Sequence, residues 1–301
     1  MKMCWSAGSA CVNGLQLSWE QAGPDHGEPL LMVMGLGGQL IHWPEALCTA
    51  LVDRGFRLIR FDNRDAGLSA HADRGIRVNL PRDWLRARFG RAGAANYDLH
   101  DMADDAMGLL DALQVGKAHL LGVSMGGMIS QIVAARYPRR VSSLCSIMSS
   151  TNHPRLPAAR LDVLWRMAGI GPRPKTREQV IHKTTAMLNR VGSPGFPTPI
   201  EYRRKLAGRA YDRAFRPRDL MRQTHAIVST GSFEDLLPQI RVPTQVVHGL
   251  ADPLLRPVHG RRSAQLIRNS RLELIPGMGH DFALPLMSRW ADLVSGNAAR
   301  A

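Results

Sequence analysis

Cysteine is scarce in this chain. The four among 301 residues, Cys4, Cys11, Cys48 and Cys145, form no C-x-x-C pair and are too scattered for a disulfide framework, which argues against a stapled fold, zinc ribbons and dithiol redox chemistry. Cys48 and Cys145 sit in apolar segments and read as core residues. No apolar run reaches the roughly 18 to 20 residues of a membrane span, so none is expected. The N-terminal stretch MKMCWSAGSACVNG lacks the apolar segment of a secretory signal, and a cytoplasmic location is expected. Acidic residues are also few: 25 Asp and Glu stand against 39 Lys and Arg, a formal net charge of +14. Residues 150–222 hold sixteen Lys/Arg and five Asp/Glu, +11 of that total. With no finger spacing and no RNP-like aromatics in that stretch, nucleic acid is not an expected partner. A solvated basic face that attracts acidic substrates fits better.

Hydrophobic residues, 45% of the chain, supply enough material for a sizeable core. Through the first 149 residues short apolar runs alternate with amphipathic helical patterns. ACVNGLQLSWEQAG reads as a hairpin turning at Asn13-Gly14, and PLLMVMG (29–35) as a strand buried on both faces. A helix follows with Pro44 in its first turn and Gly55 past its end; FRLIRFD (56–62) is the next strand. YDLHDMADDAMGLLDALQV is an acid-led helix, KAHLLGV (117–123) a strand, MGGMISQIVAARYP a helix, and VSSLCSIMSS (141–150) a strand. Residues 150–236, rich in Pro and Arg, break this rhythm. It returns with VPTQVVHG (242–249), a helix near 257–267, RLELI (271–275) and a last helix from about 281. The expectation is an α/β fold: one doubly wound, mostly parallel sheet built from 1–149 and 237–301, interrupted by a helical insertion at 150–236.

Against that frame, Gly122-Val123-Ser124-Met125-Gly126 falls between a buried strand and a helix. A sharp turn there lifts a serine hydroxyl above the carboxyl edge of the sheet, with glycines where side chains would collide with the neighbouring elements. A serine needs a base, and the base needs an orienting carboxylate. Asp252, after the strand 242–249, and His280, in a glycine-rich loop after RLELI, complete the order Ser–Asp–His. Backbone N–H groups of Met125 and of Leu36, with Gly37 the alternative to Leu36, would form the oxyanion hole. MGLGGQ is not a dinucleotide loop, because Leu40 stands where the last glycine of G-x-G-x-x-G belongs; no cofactor and no metal are expected. His248 reads as structural. Arg64, between Asp62 and Asp65, reads as a fork that stiffens the loop beside the oxyanion turn.

MGLGG, FDNRDAGLS, GVSMGG, HGLADP and PGMGHDF together resemble the α/β-hydrolase superfamily nearly end to end, most closely its esterase branch of aclacinomycin methylesterase-like hydrolases. The resemblance implies a Ser–His–Asp hydrolase forming an acyl-enzyme beneath a lid at 150–236. Dehalogenases and epoxide hydrolases of similar pattern carry Asp where this chain has Ser124, and the often His-Gly oxyanion loop is here Met34-Gly35. Gly37, Gln39, Trp43 and Met128 are the pocket candidates on the sheet side. Trp165, with Phe196, Tyr202, Tyr211 and Phe215, is the candidate from the lid. The expected substrate is a small-molecule ester; amide or peptide, lactone, C–C bond and perhydrolysis remain open for the same triad. A ligand receptor on the same fold, or a basic surface binder, is the reading from another class.

Overall fold

The computed structural model describes residues 3–73, 75–88, 95–167 and 174–301. Asn13 and Gly14 close the first hairpin with positive φ, 49° and 76°, joining β1 (Ser6–Val12) to β2 (Leu15–Ala22). The remaining strands are β3 (Glu28–Val33), β4 (Phe56–Phe61), β5 (Ala118–Val123), β6 (Val141–Ile147), β7 (Thr244–Gly249) and β8 (Ser270–Ile275). They form one eight-stranded sheet in the order β1-β2-β4-β3-β5-β6-β7-β8. Only the β1–β2 and β2–β4 pairings are antiparallel.

The two-residue period of a strand divides its side chains between two cores. Leu31 and Val33 of β3 join the cluster under α3 (Leu99–Ala112) and α4 (Met125–Arg136). Leu30 and Met32 join the opposite cluster, under α1 (Glu45–Val52) and α10 (Met287–Ala298). α3 starts where Asp98 accepts hydrogen bonds from His100 and Asp101 N–H, a capping box. α4 is buried on every side from Met125 to Ala135, as a helix locked behind the central strands must be.

Between β6 and β7 lie α5 (Leu161–Met167), α6 (Arg177–Val191), α7 (Ile200–Arg213) and α8 (Pro217–Thr230); α9 (Val258–Leu266) follows β7. Two elements differ from the sequence pattern. A helix not anticipated there, α2 (Leu80–Arg88), precedes α3 and packs against α8, and that tertiary contact supports so short a helix. The last helix begins at Met287 rather than near 281. Pro285 confines the preceding chain to a loop and a single 3-10 turn at Leu284–Leu286, which leaves His280 in the loop. No helix among the described residues is long and apolar enough to cross a membrane.

Candidate active site

Ser124 ends β5 and caps α4 in a bent conformation, φ 54° and ψ −121°, that residues with a side chain rarely adopt. Such a backbone costs about 1–3 kcal/mol and persists only where neighbours fix it. Ser124 N–H donates to the Ile147 carbonyl at 3.0 Å, and Ser149 Oγ donates to the Ser124 carbonyl at 2.8 Å. The flanking glycines provide clearance. A Cβ on Gly126 would stand 2.0 Å from the Val33 carbonyl oxygen, and one on Gly122 would stand 2.3 Å from that of Gly126. β3, β5 and α4 close up only because both are absent.

His280 Nε2 lies 3.0 Å from Ser124 Oγ, and its Nδ1 lies 2.6 Å from Asp252 Oδ2. An ionised carboxylate only accepts, so Nδ1 carries a proton, and in the neutral imidazole the Ser124 hydroxyl donates to Nε2. Asp252 is buried, and its Oδ1 accepts the Leu254 and Leu255 N–H groups, each at 2.9 Å. Burial works against its charge, but His280 and His248 outweigh it and hold the carboxyl far below the ordinary carboxylate range. His248 donates from Nε2 to the Leu255 carbonyl at 2.7 Å and so braces the Asp252 turn. The three residues that the sequence set far apart thus form one hydrogen-bonded chain.

The loop after β3 runs against this turn: a Cβ on Gly35 would lie 3.1 Å from Ser124 Cβ. Leu36 and Met125 N–H find no acceptor among the described residues, and Met125 opens α4, where the helix dipole favours negative charge. The Gly37 N–H is already committed to Gln223 Oε1 at 2.8 Å.

The insertion grips both loops. His280 N–H donates to the Val191 carbonyl at 2.7 Å, and Gly279 N–H donates to Ser193 Oγ at 2.8 Å. Ser193 Oγ in turn donates to Asp281, which also receives Arg203, each at 2.5 Å. Burial pushes the Asp281 carboxyl up in spite of these partners. On the other side Arg213 meets Asp62 at 2.7 Å, and Arg222 forks onto Asp65 at 2.7 and 2.8 Å. Arg222 also bonds Asp219, so the cluster Asp65–His71–Asp219 already has a guanidinium as its cation.

The fork expected of Arg64 exists with another partner. Its guanidinium takes Asp105 of α3 at 2.6 and 2.7 Å, while its neighbours Asp62 and Asp65 face the insertion's arginines. The pocket candidates scatter. Gln39 spends its amide on the Ala210 and Ala214 carbonyls and on Arg213, which anchors α7. Trp43 lies in the core, edge-on to Phe282 at 5.3 Å, and Met128 is buried in the opposite core. Trp165 stands 62% exposed on α5, and Phe196 packs against the core of Trp43. Gly37 is exposed, with Leu220 of α8 directly over it. The sequence pattern does not point to Leu220 or Gln223, although α8 carries a signal for the second. Asp219, Arg222, Gln223 and Ala226, spaced i, i+3, i+4, i+7, form its buried stripe.

Residues 28–284 fit the family described as alpha/beta hydrolase fold. The chain belongs to that family. Among alpha/beta hydrolases it is similar to the rhodomycin D methylesterase DnrP of Streptomyces peucetius, 24% identical over 86% of each chain. It is also similar to the serine hydrolase BPHL of Mus musculus, 26% identical over 96% of this chain and 85% of the other. An enol-lactonase from Burkholderia xenovorans LB400 shares the fold, with a TM-score of 0.72 and 21% identity across 97% of this chain and 100% of that one.

Proposed function

We propose that this alpha/beta hydrolase cleaves small-molecule carboxylic esters through an acyl-enzyme, in the cytoplasm, with residues 150–236 as its lid. The observation that carries the reading is the unbroken chain from Ser124 Oγ through His280 to Asp252. Ser124 Oγ attacks the ester carbonyl as its proton passes to His280 Nε2, and the oxyanion accepts hydrogen bonds from Leu36 and Met125 N–H. Collapse breaks the C–O bond, and His280 gives its proton to the leaving alcohol. Water then adds to the acyl-enzyme, losing a proton to His280, and the acid departs as Ser124 recovers its hydrogen. Asp252 keeps Nδ1 protonated throughout and stabilises the imidazolium. The chemistry calls for no cofactor. A methylesterase among its relatives supports an ester over other acyl bonds.

Hydrolysis of p-nitrophenyl esters from acetate upward tests this, wild type beside Ser124→Ala. Turnover that disappears in the variant is the expected result. If a fluorophosphonate labels Ser124 but no ester is cleaved, the nucleophile stands and the ester assignment falls. Failure of labelling overturns the hydrolase reading and favours a receptor.

A further inference from the structure

We infer that Gln223, on α8 of the insertion, is a positioning residue for the oxyanion turn, holding Leu36 N–H in place by occupying the adjacent N–H of Gly37. The inference rests on the reading of Ser124 as the nucleophile and extends it to a residue outside the triad and the hole.

Gln223 is fully buried. Its Oε1 accepts from Gly37 N–H at 2.8 Å and its Nε2 donates to the Arg64 carbonyl at 2.7 Å. A backbone N–H can only donate and a carbonyl only accept, so these partners fix which way the amide faces. One side chain therefore bridges the loops that leave β3 and β4. The two loops differ in firmness. Gly37 sits at φ +66° in a turn with no side chain of its own to lock it. Arg64 is firm, because its buried guanidinium forks onto Asp105 in α3. Gln223 transfers that firmness to the oxyanion loop.

Its own position is equally constrained. The preceding Arg222 is forked onto Asp65, and Leu220, one turn back, covers Gly37 so closely that a Cβ there would come within 2.7 Å of its Cδ1. Leu36 N–H lies in the 35–36 peptide plane, whose Gly35 carbonyl accepts Gly38 N–H at 3.0 Å; with the 36–37 plane held as well by Gln223, the bonds flanking Leu36 are restricted from both sides and the donor is aimed before substrate arrives. Preorganisation of that kind matters most for the charge that appears only in the transition state. Without Gln223 the Gly37 N–H can satisfy itself with water, and the plane turns.

The test compares wild type with Gln223→Leu, Gln223→Glu and, at a half-buried position of the same helix, Thr224→Ala. Gln223→Leu is expected to lower kcat about ten- to a hundredfold, less than the loss of a donor itself. KM should stay within about threefold, since ground-state binding does not use the oxyanion contact. Affinity for an alkyl boronic acid, whose tetrahedral adduct on Ser124 places an oxygen in the hole, should fall in step with kcat/KM. The Gly37 amide should exchange faster with deuterium by NMR. Gln223→Glu keeps an acceptor for Gly37 but turns a second acceptor toward the Arg64 carbonyl, so Gly37 exchange should rise less than in Gln223→Leu, and it gives an independent reading of the same quantities. Thr224→Ala leaves all four readouts unchanged. Wild-type kcat/KM together with unaltered Gly37 exchange in the Gln223 variants overturns the proposal. So does activity lost with boronate affinity and exchange intact, the mark of a merely structural residue. If the wild type cleaves no ester and binds no boronic acid, the ester reading has failed instead, and Gly37 exchange alone judges the hold of Gln223.

Discussion

Which nitrogen of His280 faces Ser124 is decided by Asp252, whose other oxygen is already saturated by two backbone N–H groups. An asparagine in its place keeps the shape but can turn an N–H toward Nδ1 and favour the other tautomer. Asp252→Asn should therefore reduce kcat on the order of a thousand- to ten-thousandfold. Fluorophosphonate labelling of Ser124 should slow in parallel and far-UV circular dichroism should not change; near-wild-type labelling would remove Asp252 from the catalytic chain. These three residues could be read from the sequence because the backbone demands them. A serine between two clearance glycines, and an aspartate and a histidine each just past a strand, leave local marks. Gln39 and Trp43 left no such mark, and proximity in sequence to the oxyanion loop was a poor guide to which way they point.

The strand–helix alternation is visible in the sequence because each element's apolar period is set by its own geometry. What α8 touches is not visible there. Its buried stripe is polar, and a polar stripe reads as a solvated face until the acids of loop 62–65 are brought beside it. The same blindness misassigned the partner of Arg64, since Asp105 lies 41 positions away. The ion pair of Arg222 with Asp65 is closed to solvent, at 9% and 0% exposure. Removing one member of such a pair strands a buried charge at a cost of about 3–5 kcal/mol. Arg222→Met should lower unfolding free energy by that amount in urea titration; a loss under about 1 kcal/mol would class the pair with exposed ion pairs.

At the scale of the molecule, the excess charge has a destination. Arg203, Arg213 and Arg222 of the basic insertion neutralise Asp281, Asp62 and Asp65 of the sheet domain, so part of the basic excess is countercharge rather than a solvated face. These contacts bear on stability against pH. Burial opposes the charge of Asp65, but Arg222 and Tyr97 prevail, and its carboxyl, like that of Asp252, sits below its ordinary range. The unfolded chain then binds more protons than the folded one. The contribution is complete above the unfolded carboxylate value of ~3.9 and is lost as pH falls through the lower folded values. Asp281, raised by burial, acts in the opposite sense and blunts the change. Denaturant midpoints should accordingly drop below about pH 4, and less steeply in Arg222→Met. A wild-type midpoint that rises on acidification would reverse the sign.

The pairing of three arginines with three acids across the insertion also bears on descent. A relative's insertion grafted onto this sheet would have to bring arginines to the same three places, or leave the carboxylates of Asp62, Asp65 and Asp281 without a countercharge. Insertion and sheet are therefore not interchangeable parts: a chimera at the 150 and 236 junctions inherits unpaired charge.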